Sequence, residues 1–435
     1  MPAKPSARRL LVIQAAGLGE ALAAQSQALA KVLGDHPPHP LSPPSPAVTC
    51  TAQAVFRTAA DPARHGMIAN GWFDRTLHRT TFWEQSAALV AGPRIWSTFR
   101  ARGGRVALLF WQQSLGEDAD IILSPAPIHR HGGGMIDTCY ASPPGLDESL
   151  ARALGAPFRL HRYWGPLASP ASSRWIARAT AEVLAGRCSA APDLCLTYLP
   201  ALDYDLQRFG PGHPRARRAL DALAGDLAIL LEACRRHDYD WLLWGDYAIA
   251  SATAPAQFPN RILHAAALFH TRRIDGRLYP DLHTSRAFAC VDHQVAHIYV
   301  REARDMERVR DLLAPCGTLA PRGADPSLDH PRAGEYILQA PAGAWLAYPW
   351  WTARREAPDF AAHVDIHNKP GYDPCELFFG WPPGTVSVNP ARVRGVHGLT
   401  GTGYEACWYS NLVAPGPRTL RELADAVGRH LETLT

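Results

Sequence analysis

Lysine is nearly absent from this 435-residue sequence: it stands only at Lys4, Lys31 and Lys369, so Arg carries almost all of the positive charge. With 44 basic against 40 acidic residues the formal charge is +4, too near balance for a protein that wraps nucleic acid or holds a membrane through a polybasic segment. No stretch approaches the roughly 20 uninterrupted apolar residues of a membrane span. There is no internal repeat and no G-x-x-x-x-G-K-[ST] phosphate loop. The nine cysteines include no C-x-x-C pair, which excludes a zinc ribbon; their odd number speaks against a complete disulfide framework and for a reducing compartment, the cytoplasm. The start, MPAKPSARRLLVIQAAGLG, has basic residues before a short apolar run, the outline of a secretory leader. Gln14 and Gly17 interrupt that run, and it reads better as a first buried strand.

What the chain has in quantity is apolar material. Hydrophobic residues make up 47% and charged residues 19%, with 13 each of Trp, Tyr and Phe, which excludes global disorder and supplies a large interior. At about 150 residues per domain the length suggests three domains, whereas α/β chains of this size also fold as one core with an insertion. The pattern favours the second. Leu10 to Ala15 closes on Gly17-Leu18-Gly19, followed by a helical pattern through Leu33 and a Pro-rich loop from Pro37 to Pro46. Helix-then-strand units recur: 95–102 before Arg105 to Phe110, 173–185 before Leu194 to Leu199, and 217–236 before Trp241 to Trp244. This alternation predicts an α/β fold with a mostly parallel central sheet. Beyond Ala254 the rhythm changes, and 266–345 reads as a cap inserted between core segments 1–265 and 346–435. An amphipathic helix is expected over 419–434.

In open parallel sheets ligands gather at the carboxyl ends of strands, and three polar clusters fall there. Val48-Thr49-Cys50-Thr51 precedes an expected helix over 52–58. Thr49 serves there either as a helix N-cap or as a nucleophile beside a helix end that stabilises phosphoryl oxygens. Asp203 follows Leu199-Pro200, and Asp246 follows Trp244-Gly245. One Asp at a strand end is an ordinary cap; two with a Thr on one sheet edge outline a hard-metal hydrolase site.

Thr49-Cys-Thr-Ala-Gln-Ala-Val-Phe-Arg-Thr58, then Asp61-Pro62-Ala-Arg-His65-Gly66-Met-Ile-Ala-Asn70, resembles the nucleophile segment of the alkaline phosphatase superfamily, in its nucleotide pyrophosphatase and type I phosphodiesterase branch. Asp203 with Gly210-Pro211, Gly245-Asp246-Tyr247, and Val396-His397-Gly398 are similar to its later motifs, in the same order. The resemblance implies a three-layer α/β sandwich with an inserted cap subdomain, and hydrolysis of a small-molecule phosphodiester or pyrophosphate. It implies Thr49 as the nucleophile of a phospho-enzyme, Asn70 as donor to a phosphate oxygen, and one or two divalent ions (Zn, Mn or Mg). No nucleic-acid polymer is expected as partner, and the oligomeric state stays open.

The departures lie in the ligand positions that the resemblance implies. Asp203, Asp246, His397 and Thr49 match, whereas Ala16 replaces an Asp, Gln207 a His and Tyr247 a His. One ion keeps only Thr49 and Asp246; the other keeps Asp203 and His397, with the amide oxygen of Gln207 as a weak third. Three explanations follow: a single ion, substitute ligands, or an inactive relative that acts as a binding partner in a biosynthetic pathway. Asp365 and His367 are the substitutes to seek, since residues two apart on an extended chain share a face at about 6 to 7 Å. His293 and His297, four apart on a strand, stand about 13 Å from each other, too far for one ion, and Asp205 points away from Asp203. His129-Arg-His131-Gly-Gly-Gly134 is either a surface loop or a phosphate lining. Trp72, Trp83, Trp111, Trp350 and Trp351 are core residues or a stacking platform.

Overall fold

Leu10 to Ala15 are buried without exception, as a parallel strand covered by helices on both faces requires. The computed structural model describes residues 9–132 and 134–434; the basic start with Lys4, and Gly133 of the His129–Gly134 run, lie outside them. The central sheet has eight strands: β1 (Arg9–Ala15), β2 (His39–Leu41), β3 (Val106–Leu109), β4 (Ile121–Pro125), β5 (Cys139–Ser142), β6 (Leu194–Leu199), β7 (Tyr239–Gly245) and β8 (Ala406–Ser410). Their order is β2-β8-β7-β1-β6-β3-β4-β5. From β7 to β4 the strands are parallel, while β8, β2 and β5 add antiparallel edges. The expected α/β architecture with a mostly parallel sheet is observed.

Alternate side chains of β1 feed two different layers. Leu11 and Ile13 pack with Ile176 of helix Ala171–Leu184 and Leu227 of helix Pro214–His237; Leu10 and Val12 pack with Phe56 of helix Thr49–Thr58 and Leu423 of helix Leu420–Thr433. A fully buried Leu or Ile contributes about 1.5–3 kcal/mol, so a one-residue slip of β1 exchanges both layers at once and the register is fixed. Helix ends are set by local chemistry. Pro214 starts its helix and the left-handed Asp238 (φ 57°) stops it, while Thr419 and Glu422 form a capping box before Leu420–Thr433.

A second sheet, entirely antiparallel, takes strands Ala287–Asp292, Val295–Val300, Tyr336–Gln339 and Thr318–Pro321 in that order. It shares a core with Phe73, Phe82, Leu263, Tyr348 and Trp350. Its first hairpin turns at His293-Gln294 with His293 in the left-handed region (φ 57°), so His293 is a turn residue and not, as expected from the sequence, a strand residue in line with His297. Helix Thr49–Thr58 likewise begins three residues earlier than the pattern suggests, which makes Thr49 its first residue.

Candidate active site

Asp246 directly follows β7, and Gly17, at the end of β1, takes a positive φ (73°) that turns its N–H onto Asp246 Oδ1 at 3.0 Å. Asp246 Oδ2 accepts from Gln14 Nε2 at 2.7 Å and from the Thr49 hydroxyl at 3.3 Å. Gln14 is itself held: its Oε1 accepts from Gln53 Nε2 at 2.7 Å, and Gln53 Oε1 accepts from the Gln112 backbone at 2.7 Å. Three glutamines thus carry a buried relay from the β3 end of the sheet to Asp246.

Asp203 lies in the first turn of helix Ala201–Phe209. Its Oδ1 accepts from the Tyr247 hydroxyl at 3.2 Å and its Oδ2 from Gln207 Nε2, one turn on, at 2.6 Å. Tyr372 pairs with the Gln207 amide, its hydroxyl 3.1 Å from Oε1. Tyr247 O also stands 3.4 Å from Thr49 Oγ1. Each hydroxyl has one proton: with that of Thr49 on Asp246 and that of Tyr247 on Asp203, the two oxygens face each other without one.

Two histidines complete the cluster. His397 Nδ1 donates to Ala47 O at 2.8 Å, and His293 Nδ1 bonds Asp292 Oδ1 at 2.7 Å. His293 Nε2 is buried, has no partner, and belongs to a residue that lines the cavity. Asp292 also receives the backbone N–H of Asn70 at 2.8 Å and its Nδ2 at 3.2 Å, while Asn70 Oδ1 accepts from Cys50 N at 3.0 Å. Burial pushes Asp203 and Asp246 up to about 7 and Asp292 to about 6, and holds His293 and His397 well below the usual imidazole range, hence neutral.

Thr49, Asn70, Asp203, Gln207, Tyr247, His293, Asp365, His367 and His397 all line one cavity of about 770 Å³. Not all of them meet. Asp365 accepts from Asn368 Nδ2 at 2.9 Å, and His367 Nδ1 bonds Phe82 O at 2.9 Å. The divalent ions implied by the resemblance find no fitting ligand set: both buried carboxylates already accept from amides and hydroxyls, and Gln207 offers Asp203 its nitrogen. Among the described residues no three His, Cys, Asp or Glu side chains gather to hold an ion. The expected metal ligands Asp203, Asp246, His397, Gln207, Asp365 and His367 therefore do not assemble as such.

His297 uses Nε2 on Ile68 O at 3.2 Å and Nδ1 on Gly334 N at 3.4 Å, a packing role. Asp205 pairs with Arg208 at 3.4 Å. Of the five singled-out Trp residues only Trp83 lines the cavity; Trp164, not singled out, does too. Sequence reasoning also missed Gln14, Gln53, Asp292 and Tyr372. A Gln inside an otherwise apolar strand was the available signal for the first.

The family model described as type I phosphodiesterase / nucleotide pyrophosphatase matches residues 27–373. Among solved structures, the chain is similar to phosphonoacetate hydrolase from Sinorhizobium meliloti in complex with phosphonoacetate, at 15% identity, 99% coverage of this chain and 97% of that one, and a TM-score of 0.65. It is similar also to murine ectonucleotide pyrophosphatase/phosphodiesterase 5, solved as an inactive variant with AMP, at 13% identity, 98% and 95% coverage, and a TM-score of 0.60. At such identities these structures show the fold, which is alkaline phosphatase-like. No curated protein matches the sequence.

Proposed function

The chain belongs to the type I phosphodiesterase / nucleotide pyrophosphatase family of hydrolases, and from that premise we propose that it cleaves a small monoanionic phosphodiester with Thr49 as nucleophile. The observation that carries this reading is the Thr49 hydroxyl, first residue of a ten-residue helix, on the cavity wall and within 3.3 Å of Asp246 Oδ2. Thr49 Oγ attacks phosphorus and its proton passes to Asp246 as the P–O bond to the leaving group breaks. The leaving oxygen takes the Tyr247 hydroxyl proton, which turns from Asp203 onto it while neutral Asp203 passes its own proton to the phenol oxygen. The second amide hydrogen of Asn70 and the helix N-terminus hold the non-bridging oxygens. A water that loses its proton to His293 Nε2, with Nδ1 steadied by Asp292, then attacks the phospho-Thr49, Asp246 returns its proton to the threonine, and the proton on His293 leaves to solvent as Asp203 takes one up, which restores both groups.

Charge narrows the substrate class. Among the described residues, the cavity lining holds the carboxylates of Asp137, Asp359 and Asp365 beside neutral Asp203, but neither Lys nor Arg. Such a wall disfavours polyphosphates and accepts a single negative charge. Leu160, Trp164, Leu167, Phe360, Val364 and Phe379 suit an apolar or aromatic ester group. The nine unpaired cysteines support a cytoplasmic placement, and the antiparallel sheet supports reading 266–345 as a cap.

Turnover of bis(4-nitrophenyl) phosphate, set beside 4-nitrophenyl phosphate, ADP-ribose and phosphonoacetate, tests the reading. The diester should be preferred, and Thr49→Ala should lower kcat by on the order of 10³-fold or more. Activity untouched in Thr49→Ala removes the proposed nucleophile.

A further inference from the structure

We propose that this chain has exchanged the divalent ions of its family for hydrogen-bond donors, so that its centre is complete without a metal. The inference rests on family membership and on the donor geometry, and does not depend on which ester is cleaved.

An ion between two carboxylates does two things: it balances their charge and it directs their lone pairs. Here protein donors direct the lone pairs, and their N–H and O–H dipoles, though neutral, stabilise the carboxylates in place of a cation. Asp246 accepts from Gly17 N, Gln14 Nε2 and Thr49 Oγ1, and Asp203 from Tyr247 and Gln207. A carboxylate offers about four lone-pair sites, so Asp246 has three of its sites taken. The donors arise where the ligands are missing. Ala16 presents no group, and Gln14, two residues earlier in the same segment, reaches Asp246 instead. Gln207 brings an amide N–H to Asp203, where an imidazole would offer a lone pair to an ion. Tyr247 places its ring flat against His397, centroids 3.6 Å apart, and its hydroxyl on Asp203, so an ion shared by Asp203 and His397 has to displace the phenol.

The donors are not loose caps that would turn aside for a cation. Gln14 is fixed through Gln53 to the Gln112 backbone, and Gln207 through Tyr372. Turning Gln14 around to offer an oxygen would set it against Asp246 and break its bond from Gln53, leaving buried polar groups without partners. The relay is therefore specific for an amide hydrogen at Asp246 rather than for a ligand oxygen.

The test reads metal and not activity. Full-length protein purified in the presence of Zn²⁺, Mn²⁺ or Mg²⁺ and desalted is assayed for bound ion by mass spectrometry, and its Tm is followed as each ion is added. The expected result is no stoichiometric ion and no saturable rise in Tm. A retained ion or a saturable rise that disappears in Asp203→Asn/Asp246→Asn overturns the proposal; a rise that persists there places the ion elsewhere, and the proposal stands. In a second arm, Ala16→Asp/Gln207→His/Tyr247→His replaces alanine and both donors with ligand side chains. Zn²⁺ should then bind and raise Tm. If that variant has a wild-type circular dichroism spectrum yet takes up no ion, the exchange of donor for ligand is refuted. Should it not fold, the wild-type titration decides alone. Loss of the phosphodiesterase reading, by contrast, would show as absent turnover with the metal result unchanged.

Discussion

Tyr247 and Tyr372 are the two ends of one column of rings, and their hydroxyls return to the same carboxylate. Tyr247 stacks on His397 (3.6 Å between centroids), His397 meets His293 at 3.5 Å with the rings tilted by 39°, and His293 stacks on Tyr372 (3.7 Å). Tyr247 donates directly to Asp203, and Tyr372 reaches it through Gln207. The loop thus closed ties strand ends of the central sheet to the hairpin of the second sheet, with neutral groups only at the ring positions.

Tyr247→Phe separates the stack from the hydroxyl. The ring remains, so the column persists, but Asp203 loses one of its donors and the leaving group its proton path. The expected cost is about 1–3 kcal/mol, that of a buried acceptor left short of a partner, whereas Tyr247→Ala adds a cavity and should cost about 3–5 kcal/mol. Urea unfolding measures both. Equal stability of Tyr247→Phe and wild type, with undiminished turnover, would remove the phenol from the network.

Gln14→Leu keeps the volume of a buried residue and removes its amide. Asp246 then keeps Gly17 and Thr49 as donors, and Gln53 Nε2 is left with no acceptor in the relay. The loss should be about 1–3 kcal/mol. Combined with Gln53→Leu the two changes should fall short of additivity by at least about 0.5 kcal/mol, as members of one network do. Strict additivity in the double-mutant cycle would show that the relay does not act as a unit.

The pH dependence of stability has a definite sign for the two acids. Burial raises both from 3.8 to about 7 in the folded chain, so folding favours their neutral forms. That contribution is fully present below about pH 4 and is lost as pH rises through about 7. The neutral histidines His293 and His397 act in the opposite sense, so the informative quantity is a difference. The stability of Asp246→Asn relative to wild type should increase from pH 4 to pH 7. A gap that stays constant over this range means that Asp246 titrates normally.

Sequence alone reached the sheet and the two acids because both are written in short-range pattern. The apolar run of β7 is followed directly by Asp246 and that of β6, four residues on, by Asp203, whereas β1 runs into Ala16 and Gly17. The failure at Asp365 and His367 has a physical cause: face-sharing on an extended chain says nothing about distance to another segment, and both residues are satisfied by Asn368 and Phe82. The positive φ at His293 explains the other failure. A turn, not a strand, carries that ring to His397, and the Asp-His pair at a hairpin tip gave no periodic signal. Gln14 was visible only as an interruption in an apolar run, because its partner lies 232 residues away.

Lys369, one of three lysines in the chain, is buried between Asp373 Oδ2 at 2.8 Å and Glu376 Oε1 at 2.7 Å. Glu376 in turn accepts from Trp164 Nε1 at 2.6 Å and from the Asp365 backbone at 2.9 Å, two residues of the cavity wall. The lysine therefore positions that wall without touching substrate. Lys369→Met should cost about 3–5 kcal/mol in urea unfolding, since it strands two carboxylates in the interior. Adding Glu376→Gln removes one stranded charge and should recover part of that loss while preserving an acceptor for Trp164. Because Trp164 and Asp365 shift with the wall, KM for the diester should rise more than kcat falls. A fall in kcat alone would instead place Lys369 in the chemistry at Thr49.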